Sequence, residues 1–191
     1  MRKLLVGVAF LALAAAACGS EPAELSGFVR TPLPNVGATT LPDAGAGGAN
    51  FQMQASTDEI LVVYFGYTAC PDVCPTTMAD LKSALRDIGD DSERIEVAMA
   101  TVDPDRDTDD VITGYVQSFV PDAHGLRTDD DDDLRAVADV FGADYDVTVT
   151  DDGAYEVIHT AYLYAIDDAG LIQVTWAFGT ESETIAQDLQ I

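Results

Sequence analysis

Basic residues are scarce in this chain. Nine Lys and Arg stand against 34 Asp and Glu among 191 residues, which gives a formal net charge of −25 at pH 7. A surface with this charge repels nucleic acids and anionic lipid headgroups, so the composition excludes a polyanionic partner, nucleic acid above all. The acidity would attract cations or a basic partner, but a solvated surface suited to salty surroundings explains it more simply.

A hydrophobic run long enough to span a membrane is missing from the N-terminal region. The apolar stretch that precedes Cys18 runs from Leu4 to Ala17, whereas a spanning helix needs about 20 apolar residues. We therefore predict a signal peptide over residues 1–17. Cys18 follows three alanines, a pattern that resembles the lipobox of bacterial lipoproteins. We expect lipidation of Cys18 and a lipid-anchored protein on the extracytoplasmic face of the cell membrane; the alternative is a secreted or periplasmic protein.

Cysteine and histidine are also rare, with three of the first and two of the second. If Cys18 carries the lipid, Cys70 and Cys74 remain as a pair. Outside the cytoplasm such a pair tends to close into a disulfide, so a pair that stays reduced needs a partner or a metal.

The remaining pattern predicts one domain behind a linker. Residues 18–50 are rich in Gly, Pro, Ala and Ser, which favours a lipid-anchored flexible tether with a short hairpin near its end. Residues 51–191 alternate strands and helices and predict a thioredoxin-like α/β fold with a central mixed sheet flanked by helices. We expect strands at 51–54, 60–65, 95–102, 157–166 and 171–178, and helices starting at Pro75, after the N-cap Thr108, around Leu134 and at a capping box formed by Thr180 and Glu183.

The thiol pair lies between the first central strand and its helix. Cys70 and Cys74 each precede a proline, which disfavours helical geometry, so we expect both on a loop that runs into the helix. Helix N-terminal amides stabilise thiolates, and this predicts Cys74 as the more stabilised of the two. The C-x-x-x-C spacing can close a disulfide or chelate a metal. A purely structural disulfide is a poor explanation because so short a loop gives little stabilisation.

The two histidines differ in context. His159 enters a predicted strand, where a lone histidine is usually a satisfied core residue, but the thiol pair makes it a candidate third ligand. Two thiolates and one imidazole form a soft site that suits copper, whereas zinc would require a fourth ligand or a water. His124 lies in a predicted loop, and we expect it on the surface. The acidic turn at 103–108 lacks the glycine and glutamate spacing of a calcium loop and is expected near the thiols.

Three segments together resemble the Sco/SenC family. The run Phe65–Thr77, FGYTACPDVCPTT, resembles that family's signature, and Val102–Thr108 and Ile158–Ala161 resemble its second and third motifs in the expected order. The resemblance covers roughly residues 51–190. It implies a thioredoxin-like copper metallochaperone, tethered to the membrane, that assists maturation of the CuA centre of cytochrome c oxidase subunit II, or of another cuproprotein.

The resemblance also implies a ligand set. Cys70, Cys74 and His159 would bind one copper ion as Cu(I), and as Cu(II) where the site holds that state well enough. Asp103 and Asp107 match family acids near the site, where they would lie behind the ligands or face the partner. Ala69 stands where many members have histidine, and Ile158 where some have aspartate, which lowers the local polarity.

Two other functions use the same thiols. The first is a metal-independent thiol–disulfide reductase in which Cys70 and Cys74 are the catalytic redox pair. The second is a peroxiredoxin-like peroxidase, which shares the fold. His159 discriminates among them, because copper delivery requires this residue and pure disulfide exchange does not.

Overall fold

The computed structural model describes residues 24–150, 153 and 155–190. The predicted signal peptide and Cys18 lie outside these residues. Within the described part of the chain, no helix is long and apolar enough to cross a membrane. In chain order the elements are β1 (Thr40–Asp43), β2 (Ala49–Gln52), β3 (Ile60–Gly66), α1 (Val73–Ile88), a 3₁₀ turn (Gly89–Arg94), β4 (Ile95–Thr101), α2 (Asp109–Phe119), β5 (His124–Leu126), α3 (Asp131–Phe141), β6 (Tyr145–Val149), β7 (Tyr155–His159), β8 (Tyr162–Ile166), β9 (Ile172–Ala177) and α4 (Ser182–Asp188).

A seven-stranded mixed sheet forms the centre, with strand order β2-β1-β5-β4-β3-β8-β9. Strand β3 is parallel to β4 and antiparallel to β8. Every residue of β3 after Ile60 is buried, as expected for a central strand covered on both faces. Helix α1 buries its apolar face and packs against α4. The predicted α/β fold with a mixed sheet and flanking helices is therefore confirmed.

The parallel pairing of β3 and β4 positions the functional loops. Both strands end at the same edge of the sheet, and the amide of Val102 donates to the carbonyl of Gly66 at 2.9 Å. The loop after β3, which carries Cys70, consequently lies beside the acidic loop after β4.

A second, two-stranded sheet was not predicted. Strands β6 and β7 pair in antiparallel register, with Tyr145 opposite His159 and Val149 opposite Tyr155; we call this pair the ribbon. The single strand expected at 157–166 is therefore wrong, because the chain leaves the ribbon after His159 and enters the main sheet at Tyr162. Most of the ribbon is exposed, so its strands lack the continuous apolar run of a buried strand; the alternation in Tyr145–Val149 was the signal that sequence reasoning missed.

Helix ends follow local chemistry with one exception. Helix α3 is capped at its C-terminus by Gly142, which has φ of 71°. Helix α4 does not use the predicted capping box. Its N-cap is Glu181, and the Thr180 hydroxyl donates instead to the carbonyl of Ala177 at 2.8 Å.

The segment expected to be a tether is largely folded from residue 24 onwards. The amides of Ser26 and Gly27 donate to the buried carboxylate of Asp188 at 2.8 and 2.9 Å. Phe28 bridges to Thr175 on β9, and the predicted hairpin forms as β1 and β2. A Cβ atom on Gly27 would lie 2.4 Å from Val174 Cγ2, so this contact requires glycine. The folded domain thus begins before residue 51.

His124, which we predicted to lie on the surface, is partly buried and has carboxylate partners. It begins β5, its Nδ1 lies 2.6 Å from the Asp43 carboxylate and its Nε2 lies 3.1 Å from that of Glu96. The ring also packs against Phe51, with 4.6 Å between centroids. Hydrogen bonding to Glu96, and then to Asp43, raises the pKa of His124 to about 9, although partial burial opposes this.

We expect His124→Gln to destabilise the fold in a pH-dependent way. Because the folded-state pKa lies above the ordinary value of about 6.5, the ion pairs contribute fully below pH 6.5 and are lost as pH rises through 9. Urea unfolding should give a wild-type advantage of about 1 kcal/mol at pH 6 that shrinks by pH 10. An equal difference at both pH values would contradict this linkage.

Candidate metal centre

The two cysteines occupy different structural positions. Cys70 lies on the loop after β3, whereas Cys74 is the second residue of α1, whose N-cap is Asp72. The helix begins two residues before the predicted start at Pro75. Pro75 is nevertheless tolerated, because amides in the first turn have no partner within the helix.

His159 completes a three-residue cluster. Its Nε2 lies 3.4 Å from Cys74 Sγ, and its Nδ1 lies 3.3 Å from the carbonyl of Thr160. When Nδ1 donates to this carbonyl, the Nε2 lone pair faces the thiols. The ligand atoms of Cys70, Cys74 and His159 all lie within 4.8 Å of one another, and no other cluster of this kind occurs among the described residues.

The thiols differ in burial and in acidity. Cys74 is fully buried, and burial raises the pKa of its thiol to about 12. Cys70 is half-buried. Burial opposes ionisation of Cys70 too, but amide hydrogen bonds from Cys74, at 3.3 Å, and from Asp72 outweigh it and lower the pKa of the Cys70 thiol. The prediction that Cys74 is the more stabilised thiolate is therefore wrong, because the helix amides point at the sulfur of Cys70.

The imidazole is held in its neutral form between aromatic rings. Burial lowers the pKa of His159, which favours the uncharged state that can coordinate a metal. The rings of Tyr64 and Tyr67 meet it edge-on at centroid distances of 6.0 and 5.7 Å. A Cβ atom on Gly66 would lie 2.6 Å from Tyr64 Cε1 and 3.2 Å from Cys74 Sγ, so glycine preserves the space around the buried sulfur.

The two acids of the second motif are buried and bonded within the chain. Asp107 accepts hydrogen bonds from the Thr68 amide at 2.9 Å, the Thr68 hydroxyl at 2.5 Å and the Thr101 hydroxyl at 2.6 Å. Asp103, 1% exposed, forms an ion pair with Arg106. Both carboxylates therefore brace the loops behind the ligands and are withdrawn from the outer surface.

An apolar groove of about 410 Å³ opens beside Cys70 and His159. Ile158 and Phe178, on its rim, are 71% and 46% exposed. Sequence reasoning missed this groove and the roles of Tyr64, Tyr67 and the ribbon. Tyr67 lies in the first motif and Tyr64 directly precedes it, so their proximity to the cysteines along the chain was the available signal.

A thioredoxin-like fold that brings two thiols and one neutral imidazole together defines a class of protein that works through thiol chemistry or by binding a soft metal ion. Comparison with known proteins gives the family. The SCO1/SenC family model matches residues 44–191, and the chain belongs to this family. The resemblance drawn from the three motifs is confirmed.

Two relatives illustrate the sequence similarity. The chain is 30% identical to an SCO2-like protein of Rickettsia prowazekii over 125 residues, which cover 64% of this chain and 60% of the relative. It is 33% identical to the human mitochondrial SCO1 homolog over 113 residues, which cover 58% and 37%. The match thus spans about 60% of the length of the rickettsial relative.

Solved structures of related proteins share the fold. The structure of Bradyrhizobium japonicum ScoI with copper bound matches with a TM-score of 0.67 at 30% identity, covering 80% of this chain and 95% of that one. The apo Sco1 protein of Thermus thermophilus matches with a TM-score of 0.74 at 28% identity, covering 86% and 94%.

We expect Cys70 to be alkylated at least about tenfold faster than Cys74, because only Cys70 is both accessible and favoured as a thiolate. Iodoacetamide labelling of the reduced Cys18→Ser chain near pH 7.5, followed by peptide mass spectrometry, measures both rates. In denaturant the two rates should converge. Equal rates in the folded protein would contradict the asymmetry described above.

Proposed function

We propose that this protein binds one copper ion outside the cytoplasm and delivers it to an acceptor protein. The observation that carries the proposal is the convergence of Cys70, Cys74 and His159 within 4.8 Å. Two thiolates and an imidazole are soft donors that suit Cu(I). The copper-bound structure of the Bradyrhizobium relative supports the same choice of metal.

The surroundings favour the reduced ion. Tyr64 and Tyr67 pack around the ligands, and Ala69 and Ile158 add no polar donor where family members carry histidine or aspartate. A three-donor set of this kind fits low-coordinate Cu(I) better than the tetragonal geometry of Cu(II).

The burial pattern suggests how the ion leaves. Cys74 is fully buried, whereas Cys70 and His159 are partly exposed and line the groove. An acceptor ligand that enters the groove would replace the Cys70 sulfur or the His159 imidazole first, and the buried Cys74 sulfur would follow last. Copper passes by ligand exchange without a change in its oxidation state. We propose the CuA site of cytochrome c oxidase subunit II, or another cuproprotein, as the acceptor.

An anaerobic Cu(I) titration against a competing chelator tests the proposal. The reduced chain from residue 18, carrying Cys18→Ser, should bind one Cu(I). His159→Ala and Cys70→Ser should each weaken binding by at least about tenfold, since even residues that only support a ligand contribute this much. His124→Gln, at the other histidine, should not change the affinity.

Binding by the wild-type chain no tighter than by His159→Ala would refute the copper site. The thiol pair would then remain as the functional group.

Thiol–disulfide exchange is a second candidate, favoured by the accessible Cys70 thiolate above the buried Cys74. The Cys70 thiolate would attack a substrate disulfide and release one substrate thiolate. Cys74 would then displace the second sulfur, leaving a Cys70–Cys74 disulfide and a substrate reduced by two electrons. This activity should survive His159→Ala, whereas copper delivery should not.

We further propose that Cys18 is acylated and holds the protein at the extracytoplasmic face of the membrane. Expressed with its signal peptide in a bacterial host, the chain should partition into the detergent phase of Triton X-114. Its N-terminal peptide should carry the mass of a lipid on Cys18. Cys70→Ser should behave in the same way, whereas Cys18→Ala should lack the lipid. An unmodified Cys18 on the exported chain would refute the proposal.

A further inference from the structure

The copper ligand His159 is carried by the ribbon, a small sheet distinct from the seven-stranded one. Its position over the thiols therefore depends on how the ribbon is attached to the rest of the domain. Two arginine–tyrosine contacts attach it, one at each end.

The first attachment lies on β6, opposite His159. The Tyr145 hydroxyl donates to the Asp131 carboxylate at 2.6 Å, and the Arg135 guanidinium carbon lies 4.4 Å from the centre of the Tyr145 ring. Arg135 also donates to the Tyr145 carbonyl. These contacts bind this end of the ribbon to α3.

The second attachment lies at the other end of β7. The guanidinium carbon of Arg106 lies 4.4 Å from the centre of the Tyr155 ring and 5.7 Å from that of Tyr67. Arg106 is itself held by its ion pair with the buried carboxylate of Asp103. A guanidinium at these distances attracts both ring faces. Arg106 consequently joins the loop after β4, the cysteine loop and the ribbon.

The geometry relates these contacts to the imidazole. Tyr155, Val157 and His159 leave the same face of β7, since alternate residues of a strand share a face. Tyr155 and His159 are separated by about 13 Å of strand. Because Arg106 holds Tyr155, the ribbon is restrained from rotating about its first attachment, at Tyr145. The Tyr67 ring, which Arg106 also contacts, meets the His159 ring at 89°.

We propose that Arg106 is a positioning residue for His159, acting through Tyr155 and Tyr67 to hold the imidazole over the two sulfurs. The proposal rests on the proposed copper function for its consequence, but not for its geometry. Arg106 reaches His159 directly through the Tyr67 ring and indirectly through Tyr155 on the same strand. Its loss should therefore weaken the contribution of His159 and leave the thiols in place.

A double-mutant cycle tests this coupling. In the Cu(I) competition assay, Arg106→Gln should weaken binding by about 3- to 10-fold, the range expected for loss of a partly desolvated cation–π contact. In a His159→Ala background the same substitution should have no further effect, because the ligand that it positions is gone. A residue that only stabilised the fold would weaken binding equally in both backgrounds.

Three further variants sharpen the test. Tyr155→Leu should reproduce the loss, and combining it with Arg106→Gln should add little, because the two residues act as one contact. Arg106→Lys should restore part of the affinity, since it keeps the charge but not the planar group. Arg86→Gln is the matched control: Arg86 is exposed and pairs with Asp87 on α1, so the variant should bind like wild type.

NMR of the copper-free protein gives a readout that does not depend on the metal. Arg106→Gln should shift the His159 imidazole resonances and increase the motion of the ribbon amides, while Arg86→Gln should change neither. Unchanged resonances and unchanged affinity in Arg106→Gln, or equal weakening in the two backgrounds, would overturn the proposal. If the wild-type chain bound no copper, the proposed function would fail, and the NMR comparison would still decide whether Arg106 positions His159.

Discussion

Three hydrogen bonds to the buried carboxylate of Asp107 hold the metal centre together. Two of them come from Thr68, two residues before Cys70, and the third comes from Thr101 at the end of β4. Together they join the cysteine loop to the loop that follows β4. Burying a carboxylate is costly unless its oxygens are bonded, so the arrangement stabilises only one geometry of the two loops. That geometry determines the positions of the Cys70 sulfur, the Tyr67 ring and the Arg106 side chain. The two hydrogen-bonded loops, at the edge of a parallel strand pair, thus form the frame that positions the ligands.

The frame gives the two sulfurs unequal environments. The N-terminus of α1 directs its amide at Cys70 and places Cys74 in the core, next to His159. One thiol is therefore accessible and charge-stabilised, and the other is enclosed. Such a site can retain an ion through the enclosed sulfur while it exchanges the ligands at the groove. The same difference between Cys70 and Cys74 suits disulfide exchange, which needs one attacking and one resolving thiol. Both candidate functions therefore depend on the unequal environments of the two sulfurs.

Sequence reasoning located the centre of this molecule and missed its periphery. Strand β3 and helix α1 carry strong apolar patterns because they are buried, and the three motifs identified Cys70, Cys74 and His159 as a set. The ribbon was missed because its two strands are short and largely exposed, so neither forms a continuous apolar run. The segment from residue 24 was missed because composition does not distinguish a chain packed on a sheet from a flexible chain. The order of the thiol acidities was wrong because it depends on where one amide points, which spacing along the chain does not encode.

The N-terminal segment packs at the end of the domain opposite the thiols. Leu25 lines a cavity of about 130 Å³ with Ile60, where β3 begins, and Ile166, where β8 ends, at the opposite end of β3 from the thiols. Only five residues lie between Cys18 and Glu24, so their Cα atoms are at most about 20 Å apart at full extension. With a lipid on Cys18, the short tether would hold the domain close to the bilayer, and the end that carries the thiols would face away from it. A bound copper ion would then lie within a shallow layer above the lipid surface. Only acceptor sites at that distance from the membrane could reach it.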